Sequence, residues 1–198
     1  MFNLISPYEE PEFAAWRLRL RALPSSKVSV RDAEATRQDG RLMSWVQAEC
    51  ESTYIQSVEY NVSKIEQQFV LLARIGEQPV GFSLVFIGPE ESDPLFIQLV
   101  AVVPAARRRG VALALLSRVA ERAPERNIAL ATLDNNVGAL ALNDHFAKSI
   151  GASIRRVPVS MYRRSHLGFA QSESHRPWII ERSHGVHSSL SFDKDSHT

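Results

Sequence analysis

Apolar positions along this chain recur with two different periods, and the alternation between them outlines the fold. Phe13, Trp16, Leu20 and Leu23 stand at helical spacing while Arg17, Arg19 and Arg21 fall mostly on other faces, which predicts an amphipathic helix over 9–23. Pro24, Ser25 and Ser26 break it, and 28–32 then alternates like a short strand. Leu42, Met43, Trp45 and Val46 return to helical spacing over 42–50, and 54–68 reads as a second helix or as a loop with helical turns. Two nearly continuous apolar runs, 69–75 and 80–87, flank the turn 76–79 and form a hairpin. After the polar stretch 88–94, a third apolar and β-branched run over 95–103 extends it. Leu113, Leu116, Val119, Ala120 and Ala123 line one face of a helix over 110–123, which Pro124 closes. A strand at 128–133, a helix at 138–150, an alternating strand at 157–161 and a last strand at 178–181 complete the series.

From the first hairpin strand onward this order is βββαβαβ, an α/β (α+β) class with a mixed, mostly antiparallel central sheet and helices on both faces. Length changes the picture little: 198 residues make one domain plus extensions. We expect residues 1–24 as an N-terminal helical extension, 25–183 as the main domain, and 184–198, dominated by Ser, His and Asp, as a disordered tail. Basic and acidic side chains, 23 and 22, nearly cancel, so no global charge recommends a nucleic-acid or membrane partner. Any anion site must be local. A lone cysteine, Cys50, excludes an internal disulfide, no basic segment followed by a long apolar run opens the chain, and a cytoplasmic home is expected. Cys50 lies in a helical stretch without a nucleophile pattern and is read as a packing residue.

The segment that carries chemistry is Val100-Ala-Val-Val-Pro-Ala-Ala-Arg-Arg-Arg-Gly-Val-Ala112, running from a buried strand through a basic turn into an amphipathic helix. A helix N-terminus offers unpaired N–H groups and a partial positive charge to a diphosphate. The small residues Gly110 and Ala112 would let phosphates approach the main chain, and Arg107, Arg108 and Arg109 would add charge-assisted contacts. The plain alternative is a solvated arginine turn opening a surface helix. A P-loop is excluded because Gly110 is followed by Val-Ala rather than Lys-Ser or Lys-Thr, and a dinucleotide loop would need a Gly-rich fingerprint in a parallel sheet.

Val102-x-Pro104-x-x-Arg107-x-x-Gly110-x-Ala112 resembles the acetyl-CoA signature of the GCN5-related N-acetyltransferases (GNAT superfamily), and the order of elements agrees over roughly 28–151. The resemblance implies a bulged strand whose main chain at Val100 and Val102 holds the pantetheine arm. It also implies that Arg107, Arg108, Arg109, Gly110, Val111 and Ala112 wrap the diphosphate. Thr132-Leu-Asp-Asn-Asn136-Val-Gly-Ala139-Leu-Ala-Leu-Asn143 is similar to the family's strand-to-helix segment, so Asn136 and Asn143, two helical turns apart, are expected on one face toward the cofactor. Asn136 alone reads equally as a helix cap. The implied activity is acetyl transfer from acetyl-CoA to a primary amine of a small molecule, peptide or protein. The resemblance also leaves room for a homodimer, while nucleic acid and membrane are not expected as partners.

The catalytic groups stay open. An alkylamine is neutral in only about one molecule per few thousand at neutral pH, so transfer needs a proton acceptor. Some family members place a glutamate where this chain has Phe96, with Gln98 the nearest polar residue, and many place a tyrosine acid where it has Asn143, which cannot transfer a proton. Glu90, Glu91, Asp93, Asp134 and His145 are substitute candidates. The missing acid and base keep a non-catalytic acyl-CoA-binding or interaction module as the alternative. A nucleic-acid binder using Arg107, Arg108, Arg109, Arg155 and Arg156 is disfavoured by the near-zero net charge. His184-x-x-His187 lacks completing ligands, and no metal is expected.

Overall fold

The computed structural model describes residues 6–50, 54–168 and 174–182. Helix α1 (Pro11–Leu20) starts on a proline at its first position, where the missing N–H costs nothing. Its Phe13, Trp16 and Leu20 are buried in the main core, and the Trp16 indole Nε1, fully enclosed, donates to the Pro79 carbonyl at 3.1 Å. The segment expected as an extension is thus seated on the sheet. Strand β1 (Val28–Asp32) leads to α2 (Arg37–Glu49), which begins five residues before the apolar pattern predicted. The polar first turn hides it from a hydrophobic reading: Thr36 caps by accepting from the Asp39 N–H at 3.2 Å. Asp39 itself is buried against Arg31 through a two-pronged contact at 2.7 and 2.6 Å. Helix α3 (Val58–Gln67), capped by Ser57, resolves the second helical expectation. It approaches α2 so closely at Gly40 that a Cβ there would stand 2.7 Å from the Val58 carbonyl oxygen.

Strands β2 (Phe69–Ile75), β3 (Gln78–Ile87) and β4 (Leu95–Val102) form the predicted antiparallel meander. Helix α4 (Val111–Arg122), β5 (Ile128–Thr132), α5 (Val137–Ser149), β6 (Ser153–Arg156) and β7 (Arg176–Glu181) follow. The seven strands run in the order β1-β2-β3-β4-β5-β7-β6, every neighbouring pair antiparallel except β4 and β5. Helix α4 covers one face, where Val111 lies opposite Gly81, and α2 packs on β3 and β4. Leu115, Leu116 and Val119 of α4 join Ile97, Leu130 and Phe146 in the principal core. A smaller apolar cluster of Phe96, Ala129 and Leu167, with Phe86 and Tyr162 against it, lies apart.

One expected strand is displaced. Alternation put it at 157–161, but the ladder to β7 runs through Ser153–Arg156, and Val159–Met161 is a 3-10 turn. Pro158 has no N–H to offer a ladder, so the strand ends before it, with Val157 making a parting bond to the Pro177 carbonyl at 3.1 Å. The residues expected as a disordered tail fall outside the described ones. Among the described residues no helix is long and apolar enough to cross a membrane.

Candidate functional site

Strands β4 and β5 begin together and then part. Their parallel pairing covers only Leu95–Ile97 against Ile128–Leu130, so from Gln98 onward β4 has no strand partner on that side among the described residues. A β-bulge sits at the parting point: Leu84 faces Leu99 and Val85 faces Ile97, leaving Gln98 as the extra residue of β4. Beyond it Val100 and Val102 are half-buried, while Ala101 and Val103 between them are buried. The main chain from 98 to 102 therefore borders a wedge whose other wall is the end of β5, which suits an extended ligand pairing edge-on with the strand.

At the mouth of the wedge the chain turns into α4. Pro104–Ala106 form a 3-10 turn in which the Ala106 and Arg107 N–H groups bond back to Val103 and Pro104. The next six N–H groups, 108 to 113, make no hydrogen bond among the described residues; the first bond of α4 runs from Ala114 to the Gly110 carbonyl at 2.9 Å. Arg108 (φ 60°) and Gly110 (φ 77°) both lie in the left-handed region, and alternation of hand points successive N–H groups into one concavity that suits an anion. A Cβ on Gly110 would meet nothing within 4 Å, so its glycine is required by backbone conformation rather than by crowding. Arg107 and Arg108 are exposed, whereas the Arg109 guanidinium hydrogen-bonds the Pro24 carbonyl. Val111 is buried against the sheet and Ala112 is half-buried.

Cys50, at the end of α2, is buried beside this strand. Burial pushes its thiol up to about 11, while the nearby Arg107 charge and a hydrogen bond from the Val102 main chain act in the opposite direction. A buried thiol raised this far is inert at neutral pH, in keeping with the packing role read from sequence.

On the β5 side, Asn136 is the N-cap of α5: its Oδ1 accepts from the Ala139 N–H at 3.1 Å and the residue is exposed. Asn143 points inward, donating from Nδ2 to the Thr132 hydroxyl at 3.1 Å. The two asparagines thus differ in surroundings, Asn136 exposed as the cap and Asn143 buried within the helix. Among the candidate bases, Glu90 and Glu91 are exposed, and Asp93 closes its own loop by accepting from the Glu90 N–H at 3.2 Å. Asp134 lies between Arg156 at 3.0 Å and Arg176 at 3.7 Å, and His145 is exposed on α5. His184 and His187 fall outside the described residues, among which no group of three or more His, Cys, Asp or Glu could hold a metal.

Sequence reasoning missed a third component. Residues 162–168, after β6, lie over the bulge, and the Gln98 Nε2 donates to the Ser165 and His166 carbonyls at 2.9 and 3.0 Å. The His166 ring stacks 4.7 Å from Phe86 and 5.1 Å from Phe96, and Tyr162 meets Phe96 edge-on at 5.2 Å. Burial raises the Tyr162 hydroxyl, with Arg155 acting oppositely and Glu181 and Asp93 adding to the rise. No local pattern announces this assembly, since its partners are 67 and 68 residues apart.

The bulge, the wedge and the amide-lined turn lie on one strand–turn–helix segment, and comparison with known proteins assigns that segment to a family. Residues 38–146 match the Acetyltransferase (GNAT) family, more than half of the chain, and the protein belongs to that family. Curated relatives include the L-2,4-diaminobutyric acid acetyltransferases of Nocardia farcinica, 32% identical over 45% of this chain, and of Shouchella clausii, 38% identical over 26%. These matches span 48% and 29% of the relatives' own lengths, so the chain covers at most about half of them. Among solved structures, diaminobutyrate acetyltransferase EctA of Paenibacillus lautus, in complex with L-2,4-diaminobutyric acid and coenzyme A, superposes with a TM-score of 0.61 at 21% identity, over 78% of this chain and 95% of that one. The Salmonella typhimurium protein yncA, with its cofactor acetyl-CoA, superposes at 0.54 and 16% identity, over 78% and 92%. At these identities the structural likeness speaks for the fold.

Proposed function

We propose that this chain transfers an acetyl group from acetyl-CoA to a primary amine. The observation that carries the reading is the row of six N–H groups, 108 to 113, unbonded among the described residues at the open end of the β4–β5 wedge. A diphosphate in that concavity would satisfy donors that the protein leaves unpaired, aided by the α4 dipole and by Arg107 and Arg108. Arg109 is the weaker contributor through its side chain, because Pro24 holds its guanidinium, but its N–H belongs to the row. The main chain at Val100 and Val102 takes the pantetheine arm, Gly110, Val111 and Ala112 line the phosphates, and Asn136 and Asn143 border the β5 side. When bound, acetyl-CoA supplies an activated thioester, and the residues of β4 and α4 orient it and shield it from water.

The same reading takes 25–183 as the acetyltransferase unit, with 1–24 as a helical extension docked through Trp16, and the cytoplasm as its place of action. L-2,4-diaminobutyrate is the first acceptor to try, because both curated relatives are named for it. Calorimetric titration with acetyl-CoA and thiol release with L-2,4-diaminobutyrate and a panel of other primary amines test the proposal. Saturable binding with amine-dependent thiol release supports it. Saturable binding without release for any amine favours the alternative, a non-catalytic acyl-CoA-binding module, and no binding at millimolar acetyl-CoA removes both.

A further inference from the structure

An acetyl-CoA-dependent transfer to an amine requires a proton acceptor near the thioester, and the carboxylates anticipated from sequence are either solvent-exposed or already engaged. Glu90 and Glu91 are exposed in the loop before β4, Asp93 closes that loop, and Asp134 is taken up by Arg156 and Arg176. His145 is exposed on α5, and Asn143, which has no transferable proton, is committed to Thr132.

We propose, resting on the function inferred above, that His166 is the catalytic residue that accepts the amine proton, held beside the β4 bulge by Gln98. Three observations converge on it. The bulge at Gln98 marks where β4 leaves β5, so a thioester at the inner end of the wedge lies next to that residue. The Gln98 amide fixes the main chain of the 165–166 turn through two hydrogen bonds, and Gly168 comes so close that a Cβ there would stand 2.6 Å from the Gln98 Cβ. The His166 imidazole is half-buried between Phe86 and Phe96, and its ring nitrogens make no hydrogen bond among the described residues. Aromatic faces fix the plane of the ring without consuming its nitrogens, which leaves a lone pair for an incoming proton.

The surroundings suit this task. Phe86 of β3 and Phe96 of β4 bring no charge to the ring, Gln98 brings a neutral amide, and the titratable neighbours on the same segment are Tyr162, Arg163 and Arg164, with the His166 N–H donating to the Arg163 carbonyl at 3.0 Å. Arg155 of β6, Glu181 of β7 and Asp93 act on Tyr162, and the first two are joined to each other at 2.6 Å. In the step itself the amine nitrogen forms a bond to the thioester carbon as the carbon–sulfur bond breaks. The amine proton passes to the imidazole, and the departing thiolate can take it back, so protons and electrons balance without a further reactant. The role of Gln98 is positioning, since it touches the histidine's main chain rather than its ring.

The test compares wild type with His166→Gln and His166→Phe in thiol release from acetyl-CoA, using L-2,4-diaminobutyrate and the same amine panel across a pH series, with acetyl-CoA affinity measured in parallel. The proposal expects kcat/KM to fall about a hundredfold in both variants. It also expects the limb of the pH profile that follows imidazole ionisation to vanish and acetyl-CoA affinity to stay within about twofold. Gln98→Ala should lower kcat while keeping that limb. Variants that match wild type in rate and pH profile overturn the proposal. A wild type that releases no thiol with any amine counts against the function proposed above, and peptide-resolved carbethoxylation then decides about His166: protection of its ring by acetyl-CoA supports its place beside the thioester, and unchanged labelling overturns it.

Discussion

The turn at 104–113 and the aromatic patch at Phe86, Phe96 and His166 serve the same bulged strand from opposite ends, but they are built from different materials. The turn works through main-chain N–H groups and two left-handed residues, Arg108 and Gly110, all within one short stretch of sequence. The patch works through side chains contributed by β3, β4 and a distant loop, joined by contacts such as Gln98 to His166 across 68 positions. A main-chain site constrains residue type wherever a special φ or close approach is needed, so it leaves a short motif. A side-chain site constrains only positions in space and leaves none. On the function proposed above, the coenzyme half of the reaction is therefore written locally, and the acceptor half is written in the fold.

Substitutions can break that contrast in order of expected effect. Phe96→Ala removes a ring that is fully buried and holds Phe86, Tyr162 and His166 together, and should cost about 3–5 kcal/mol in urea unfolding. A cost below about 1 kcal/mol would mean that the patch is loosely assembled and cannot position a ring. Gly110→Ile imposes a β-branched side chain on a φ of 77° and should cost about 1–2 kcal/mol. Because the position is sterically open, the fold should survive while acetyl-CoA affinity falls at least about tenfold by calorimetry. An unaltered affinity would separate the turn from coenzyme binding.

A smaller, pH-dependent effect tests how α2, whose end carries Cys50 against Val102, is anchored. Burial alone would raise the Asp39 carboxyl, but the Arg31 guanidinium and the Glu34 N–H outweigh it and hold it below the usual carboxylate range. With the folded value depressed, this contribution to stability is fully present above the unfolded value of about 3.9 and is lost as pH falls through the folded value. Asp39→Asn should therefore lower stability at neutral pH and flatten its fall on the acid side, as followed by urea midpoints; parallel acid profiles would contradict the assignment. Cys50 should leave stability unchanged at neutral pH while showing slow alkylation. With the thiol near 11, its reaction with iodoacetamide at mildly alkaline pH should be at least about a hundredfold slower in the native protein than in urea. Equal rates would show that the end of α2 is not seated on β4.

The meander, α4 and the strand-to-helix alternation were legible in the sequence because each rests on a sustained apolar period. The turn after β4 was legible because Pro104, Gly110 and three arginines stand in sequence. The polar start of α2 was not, because Thr36 and Asp39 are recruited by capping and by Arg31 rather than by hydrophobicity. The strand expected at 157–161 failed because alternation says nothing about hydrogen-bond donors, and Pro158 withholds one. Asn136 and Asn143, read from sequence as a pair, have different partners, one capping α5 and one bonded to Thr132. His166 was illegible for the reason the patch as a whole was: only the placement of 162–168 over the bulge gives that imidazole a context.

The claim on which the rest depends is that main-chain amides after β4 hold the coenzyme, and an amide-resolved NMR titration with acetyl-CoA tests it most directly. The account predicts saturable shifts concentrated at residues 108–113 together with Val100 and Val102. Shifts that leave those amides still while perturbing others, or no shifts at millimolar acetyl-CoA, would contradict it.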